Sequence, residues 1–328
     1  MFTRRVLASG LGASLALGAA PFSAHAFSPG QVPPTTPIEP SLAPTLPLYV
    51  IDTAIDDSER MTVETMINGR GPYRFVVDSG ADRSVVSEVL AAELVLPRGR
   101  DVMVHGIGGS AVTPTAHIDQ LVTGDARLSG VELPVLPAGR VGGDGLLGVD
   151  ILQNRAVVMD FKQRRLEVRQ STPEYRGFRR PQEVQVVADQ KFGRLTIVNC
   201  RINGVRTLAF IDSGAGSSIG NMALSRAIQA RARKGADPAL AVRLLGVAGS
   251  ETIGEYRVLR SMSMGDVRMT NLAVVFADLH IFEHWKISDK PAILLGVDVL
   301  KLFARVELDF GSDQLRFRLG AERPALQA

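Results

Sequence analysis

Two short stretches hold the residue types that could do chemistry, and they are nearly the same stretch. "FVVDSGADRSVVS" sets Asp78, Ser79, Gly80 and Ala81 directly after a run of apolar strand formers. "AFIDSGAGSSIGN" repeats the arrangement with Asp212, Ser213, Gly214 and Ala215. A carboxylate at the mouth of a buried strand is costly to desolvate without a partner. In a tight turn it accepts backbone N–H bonds, and glycine supplies the unusual torsions. One Asp-Ser-Gly is common in β-turns; two copies in matching surroundings are a stronger signal. Brought face to face, two such carboxylates share a proton and titrate apart. One then acts as general base on a bridging water and the other as general acid.

The surroundings do match, because the chain contains an internal repeat. "INGRGPYRFVVDSGA" answers to "INGVRTLAFIDSGA", "HGIGGS" (from His105) to "LGVAGS" (from Leu245), and "GLLGVDIL" to "ILLGVDVL". The spacing grows from 134 residues at Asp78 and Asp212, to 140 at Gly106 and Gly246, to 148 at Asp150 and Asp298. Loop insertion after duplication gives such a drift, since surface loops tolerate added length. The elements are strands with short helices. "RFVVD", "DVMVHG", "RAVVMDF" and "RLEVR" are Val-rich and bounded by turn residues. "SEVLAAELVL" and "ALSRAIQARARK" have helical composition. Each half closes on a hairpin pattern, "VVMDFKQRRLEVR" and "VELDFGSDQLRFR". "GIGGS" lacks the Lys-Ser/Thr of a phosphate loop and is followed by the extended "AVTPTAHI". Its glycines instead make a hairpin tip able to close over an extended peptide.

The 328 residues are enough for two cores, and the few aromatics leave those cores to Val, Leu, Ile and Ala. No basic patch with interleaved aromatics suits nucleic acid. "MFTRRV", a modest apolar run and "AHA" read as an export signal over 1–26, with the Arg pair similar to a twin-arginine leader. Its loss brings the formal charge from +3 to +1. The apolar run is too short and dilute for a stable span, so a bacterial periplasmic location is expected. Cys200 stands alone, which excludes an intrachain disulfide and reads as a small strand residue. The organisation expected is a Pro-rich linker over 27–47, lobe 1 over 48–170, a connection over 171–184, lobe 2 over 185–320 and a tail over 321–328.

The order Asp-Ser-Gly-Ala, Gly-Ile-Gly-Gly, then apolar-apolar-Gly-x-Asp resembles the retropepsin-like aspartic proteases. The resemblance implies an all-β fold with short helices, in two pseudo-twofold-related lobes. Retroviral members supply one motif per subunit of a homodimer; this chain carries both, as pepsin-like enzymes do. The resemblance makes Asp78 and Asp212 a catalytic dyad, with Ser79 and Ser213 tying the two loops together by hydroxyl-to-backbone bonds. Gly80 and Gly214, beside Ala81 and Ala215, would keep the loops tight and present carbonyls to substrate. Gly106, Ile107, Gly108 and Gly109 would form one flap; Gly246, Val247 and Gly249 would form the other, departing from the pattern at Ala248. Asp82 falls where retroviral members hold substrate backbone, although lobe 2 has Gly216 there. Asp150 and Asp298 fall where a polar residue opens a short helix, an N-cap role. Peptide bonds of an extended polypeptide would be the substrate. No cofactor or metal is implied, and a monomer would suffice.

Two other readings stay open. A peptide-binding module could keep the cleft without turnover, since fold does not guarantee function. "HIFEH" (His280 to His284) is a His-x-x-Glu-His string that, on a helix, sets two imidazoles on one face for zinc. The sequence places neither a third ligand nor an open coordination position for it, and a short amphipathic helix capping lobe 2 accounts for the segment.

Overall fold

Each half of the repeat rolls its strands into a six-membered ring. The structure, a computed structural model, describes residues 49–52, 61–106, 109–171, 183–191, 194–232, 239–245 and 251–320. After β1 (Tyr49–Asp52), the first lobe contributes β2 (Thr62–Ile67), β3 (Arg70–Val77) and β4 (Val85–Ser87). A hairpin of β5 (Val102–Gly106) and β6 (Gly109–Thr113) follows, then β7 (Thr115–Thr123), β8 (Ala126–Leu136) and β9 (Gly145–Leu147). Six of these close a barrel in the order β2-β3-β9-β4-β8-β7. Its short helices are α1 (Glu88–Glu93), α2 (Ala138–Val141) and α3 (Val149–Leu152). Strands β10 (Arg155–Asp160) and β11 (Arg165–Gln170) form the closing hairpin.

The second lobe enters through β12 (Glu183–Lys191). It then repeats the plan with β13 (Arg194–Ile202), β14 (Val205–Ile211), β15 (Ile219–Gly220), α4 (Met222–Arg231), β16 (Leu240–Leu245) and β17 (Glu251–Met264). The rest is β18 (Val267–Phe276), α5 (His280–His284), β19 (Ala292–Leu295), α6 (Val297–Leu300) and the closing hairpin of β20 (Arg305–Asp309) and β21 (Gln314–Arg318). The order β13-β14-β19-β15-β18-β17, closed by β17 on β13, matches the first ring strand for strand. The apolar runs Phe75-Val76-Val77 and Ala209-Phe210-Ile211 form the central strands because consecutive residues, and so both faces, are buried. Helices α1 and α4 start where Ser87 and Asn221 accept the N–H of Leu90 and Leu224.

The two rings are joined by one sheet, β11-β10-β20-β21-β12, in which β10 lies antiparallel to β20 and β12 to β21. Val157, Met159, Val306, Leu308 and Phe317 lie in one continuous apolar core with residues of both rings. On this sheet Glu307 accepts from Arg169 at 2.8 Å and Arg316 at 2.6 Å, a charged cluster in which Glu307 and Arg316 are buried.

The hairpins over the rings differ between lobes. In lobe 1, Pro114 interrupts the path from β6 to β7, since proline has no N–H for a ladder. The β5–β6 hairpin is therefore a separate two-stranded sheet. In lobe 2 nothing interrupts β17, which runs from the hairpin into the barrel, and β1 extends the edge by pairing in parallel with β16. Half of the drift in repeat spacing lies between β18 and β19, where α5 occupies a longer connection than the one holding α2, and the rest accrues earlier, largely between β15 and β16. Cys200 is buried in β13, where burial pushes its thiol up to about 12.

Candidate active site

The two Asp-Ser-Gly-Ala turns leave β3 and β14 side by side and lock onto each other. Ser79 Oγ donates to the Ile211 carbonyl at 3.0 Å and accepts the Ser213 N–H at 2.9 Å. Ser213 Oγ donates to the Val77 carbonyl at 2.8 Å and accepts the Ser79 N–H at 3.0 Å. Both serines are buried, so water cannot replace these four bonds. These four hydroxyl-to-backbone bonds join the two loops.

Within each turn the aspartate accepts backbone N–H groups. Gly80 donates to Asp78 Oδ1 at 2.8 Å; Gly214 and Ala215 donate to Asp212 Oδ1 at 3.1 Å. The glycines are needed for a different reason from the one expected. Neither Gly80 nor Gly214 has a positive φ. A Cβ on Gly80 would lie 2.6 Å from the carboxyl carbon of Asp212, and one on Gly214 would strike the carboxyl group of Asp78. Each glycine thus makes room for the carboxylate of the opposite motif.

That proximity sets the electrostatics. Burial, then the charge of Asp78, raises the Asp212 carboxyl from an ordinary 3.8 to about 7. Arg194 and the N–H groups of Gly214 and Ala215 pull it the other way. A proton held by one member of a crowded carboxylate pair near neutral pH is the condition for acid and base roles in one site.

Behind the turns, each motif is braced by the later landmark. Ser84 Oγ donates to Asp150 Oδ1 at 2.7 Å while accepting the Gly148 N–H at 3.1 Å; Ser218, Asp298 and Gly296 do the same at 2.7 and 3.0 Å. The carbonyls of Ala81 and Ala215 accept the N–H groups of Val149 and Val297. Asp150 and Asp298 are therefore not N-caps. The cap positions are Gly148 and Gly296, and the aspartates lie inside the first turn, facing back to Ser84 and Ser218. Burial raises the Asp298 carboxyl despite these bonds.

Arg194, at the start of β13, gave no motif signal, yet it is the buried cation of the site. Its guanidinium pairs with Asp82 Oδ1 at 2.9 Å, donates to the Gly80 carbonyl through Nε at 3.0 Å and Nη2 at 2.6 Å, and lies 4.5 Å over the Trp285 ring. The Gly80 carbonyl, expected to face substrate, is taken by Arg194 because a planar fork of donors satisfies both its lone pairs. Asp82 is likewise engaged by lobe 2, with its side chain 66% exposed.

Of the flap residues, Gly106 ends β5 and Gly109 starts β6, paired across the hairpin. Ile107, Gly108, Gly246, Val247 and Gly249 lie outside the described residues. The sequence marked His105 only as the start of a repeat landmark. In the structure it meets His280 and His284 of α5, the "HIFEH" segment. Burial and the neighbouring His284 and His280 lower the His105 pKa, against the opposing charge of Asp82.

A family model described as aspartyl protease matches residues 63–151 and 198–299, one region in each lobe. The chain belongs to the aspartyl protease family. Its two matched regions each contain one Asp-Ser-Gly-Ala turn and one Gly-x-Asp brace, so this aspartyl protease chain is a two-lobed retropepsin-like protein. A search among curated proteins gives no match.

Proposed function

We propose that this chain is an aspartic endopeptidase that hydrolyses peptide bonds in extended polypeptide segments, using a water activated between Asp78 and Asp212. The observation that carries the reading is the pair of carboxylates held under opposite glycines, with the Asp212 carboxyl raised to about 7. In the proposed cycle, one carboxylate of the pair takes a proton from the water as it adds to the peptide carbonyl. The protonated partner, with Asp212 favoured by its burial, donates to the carbonyl oxygen. Collapse of the tetrahedral intermediate then sends a proton to the leaving amine. The serine tie keeps the carboxylates fixed through the cycle, so little reorganisation is needed.

The leader-like residues 1–26 support an exported, periplasmic mature protein. Among the described residues no helix is long and apolar enough to cross a membrane. Both motifs in one chain support activity as a monomer, with specific activity flat on dilution.

A digest of an unstructured peptide library by the signal-free chain, alongside Asp78→Asn and Asp212→Asn, tests the reading. Cleavage by wild type that is absent from both variants is the expected result. Peptide binding without cleavage in wild type would mean a silent module. Cleavage that survives either substitution would remove the dyad from the mechanism.

A further inference from the structure

Three histidines from two lobes converge where the lobe-1 flap meets lobe 2. His280 and His284 are one helical turn apart on α5, which sets their rings on the same face. His105 comes from the flap strand β5 and reaches that face. His105 Nδ1 lies 3.0 Å from His280 Nε2, and the His105 ring stacks on His284 with centroids 4.2 Å apart. One ring nitrogen from each residue lies within 4.8 Å of the other two.

We propose that His105, His280 and His284 bind a divalent transition-metal ion of the zinc class, which pins the lobe-1 flap to lobe 2. A tetrahedral ion with metal–nitrogen bonds of about 2.0–2.1 Å separates its ligand atoms by about 3.3 Å. The spacing present brackets that value, with 3.0 Å between His105 Nδ1 and His280 Nε2 and 4.8 Å as the limit for all three. His105 and His284 are both exposed, so their rings can swing off the stack to aim lone pairs at a common point. Three neutral imidazoles with no thiolate or carboxylate select zinc, copper, nickel or cobalt over magnesium or calcium. Three protein ligands at a solvent-facing site leave the fourth position to water.

The effect on the flap follows from connectivity. The β5–β6 hairpin is a two-stranded sheet of its own, held at its base by Thr115 N–H to the Arg100 carbonyl and Val135 N–H to the Pro114 carbonyl, and His105 lies at its far end, next to Gly106. An ion holding His105 to α5 ties that hairpin down. The consequence for hydrolysis rests on the proposed peptidase activity; binding and flap protection do not.

The test uses the tag-free, signal-free chain, stripped with chelator and titrated with zinc, then with cobalt for its visible bands. Wild type is expected to bind one ion per chain, with tetrahedral cobalt absorption, and magnesium is expected not to compete. His105→Ala, His280→Ala and His284→Ala should each weaken binding about 100-fold or more, beyond the loss seen for outer-shell changes. Hydrogen exchange over 102–113 should slow on zinc addition in wild type and stay unchanged in His105→Ala. Zinc should also lower peptide turnover several-fold in wild type only. Equal zinc affinity in wild type and His105→Ala would overturn the site, because the ion would then sit on α5 alone or bind adventitiously. Slowed exchange in neither protein would overturn the pinning. Zinc-dependent hydrolysis that persists in the Asp78→Asn, Asp212→Asn double variant would make the ion catalytic and overturn its role as a clamp. His105 is exposed, so its removal leaves the fold intact; thermal melts of the three variants check this.

Discussion

Removing one hydroxyl from the serine tie should loosen the whole junction between lobes. Ser79→Ala deletes a donor to Ile211 O and an acceptor for Ser213 N–H, and both stranded atoms sit in a region closed to water. A buried donor left without a partner costs about 1–3 kcal/mol. The stranded carbonyl loses less, because oxygen has a second lone pair for other contacts. The expected total is about 2–3 kcal/mol, which for a chain of this size lowers the melting temperature by roughly 4–12 °C. Ser213→Ala should behave the same way, since its bonds to Val77 and Ser79 mirror those of Ser79. The two losses should not add. Once one serine is gone the loops part and the second pair is already strained, so a double-mutant cycle should give a coupling energy of about 1 kcal/mol. Urea unfolding of the four proteins measures each quantity, with kcat/KM recorded on the same samples. Turnover should fall more steeply than stability, because the tie fixes the distance between carboxylates. Single-variant losses under about 0.5 kcal/mol, the range of ordinary surface changes, would refute the reasoning, as would strict additivity.

Other outcomes follow from the same geometry. Asp78→Asn, Asp212→Asn and the double variant should show nearly equal losses of kcat/KM, about 10³-fold or more, because residues acting as a unit are not additive. The raised Asp212 carboxyl binds its proton more tightly folded than unfolded, so stability is full below about pH 4 and declines as pH rises toward 7. Asp212→Asn should flatten that slope in pH-dependent melts. The kcat/KM profile should peak in the weakly acidic to near-neutral range, and Ser at both Ala81 and Ala215 should move it downward by donating to the charged carboxylates. Arg194→Met should cost about 1–3 kcal/mol by taking the guanidinium donors from the Gly80 carbonyl, and should raise the basic limb of the rate profile by removing a charge that holds Asp212 down. Gly214→Ala should abolish turnover while leaving substrate affinity measurable, since its methyl group displaces the Asp78 carboxyl.

The ring plan and the dyad turns were legible because duplication prints the same local signal twice. Apolar runs ending in Asp-Ser-Gly, and Gly-x-Asp after a second apolar run, are short-range patterns that one strand and its turn impose. What was not legible depended on residues meeting across lobes. Arg194 looks like any arginine starting a strand, and only the packing of β13 under the lobe-1 turn gives it Asp82 and Gly80 as partners. His105 lies 175 residues from His280, with no pattern linking them. A turn points to torsion as the reason for its glycine; the true constraint on Gly80 and Gly214, the opposite carboxylate, belongs to the other half of the chain. The sequence makes Asp150 and Asp298 look like N-caps for the same reason, since Ser84 and Ser218 are their partners only once the ring has closed.

The bond between Asp82 and Arg194 has a consequence for the direction in which a peptide is read. A homodimer offers identical halves, so its cleft has no head or tail and an extended chain can lie in it either way round. Here the position answering Asp82 is Gly216, which has no carboxylate to offer. The lobe-1 motif therefore carries an acidic group anchored by a buried guanidinium and close to the His105 imidazole, where the lobe-2 motif has glycine. On the proposed peptidase reading, a polypeptide crossing the dyad would meet a carboxylate on one flank and glycine backbone on the other. In the proposed peptidase, that asymmetry would favour one amino-to-carboxyl direction before any side-chain pocket is filled.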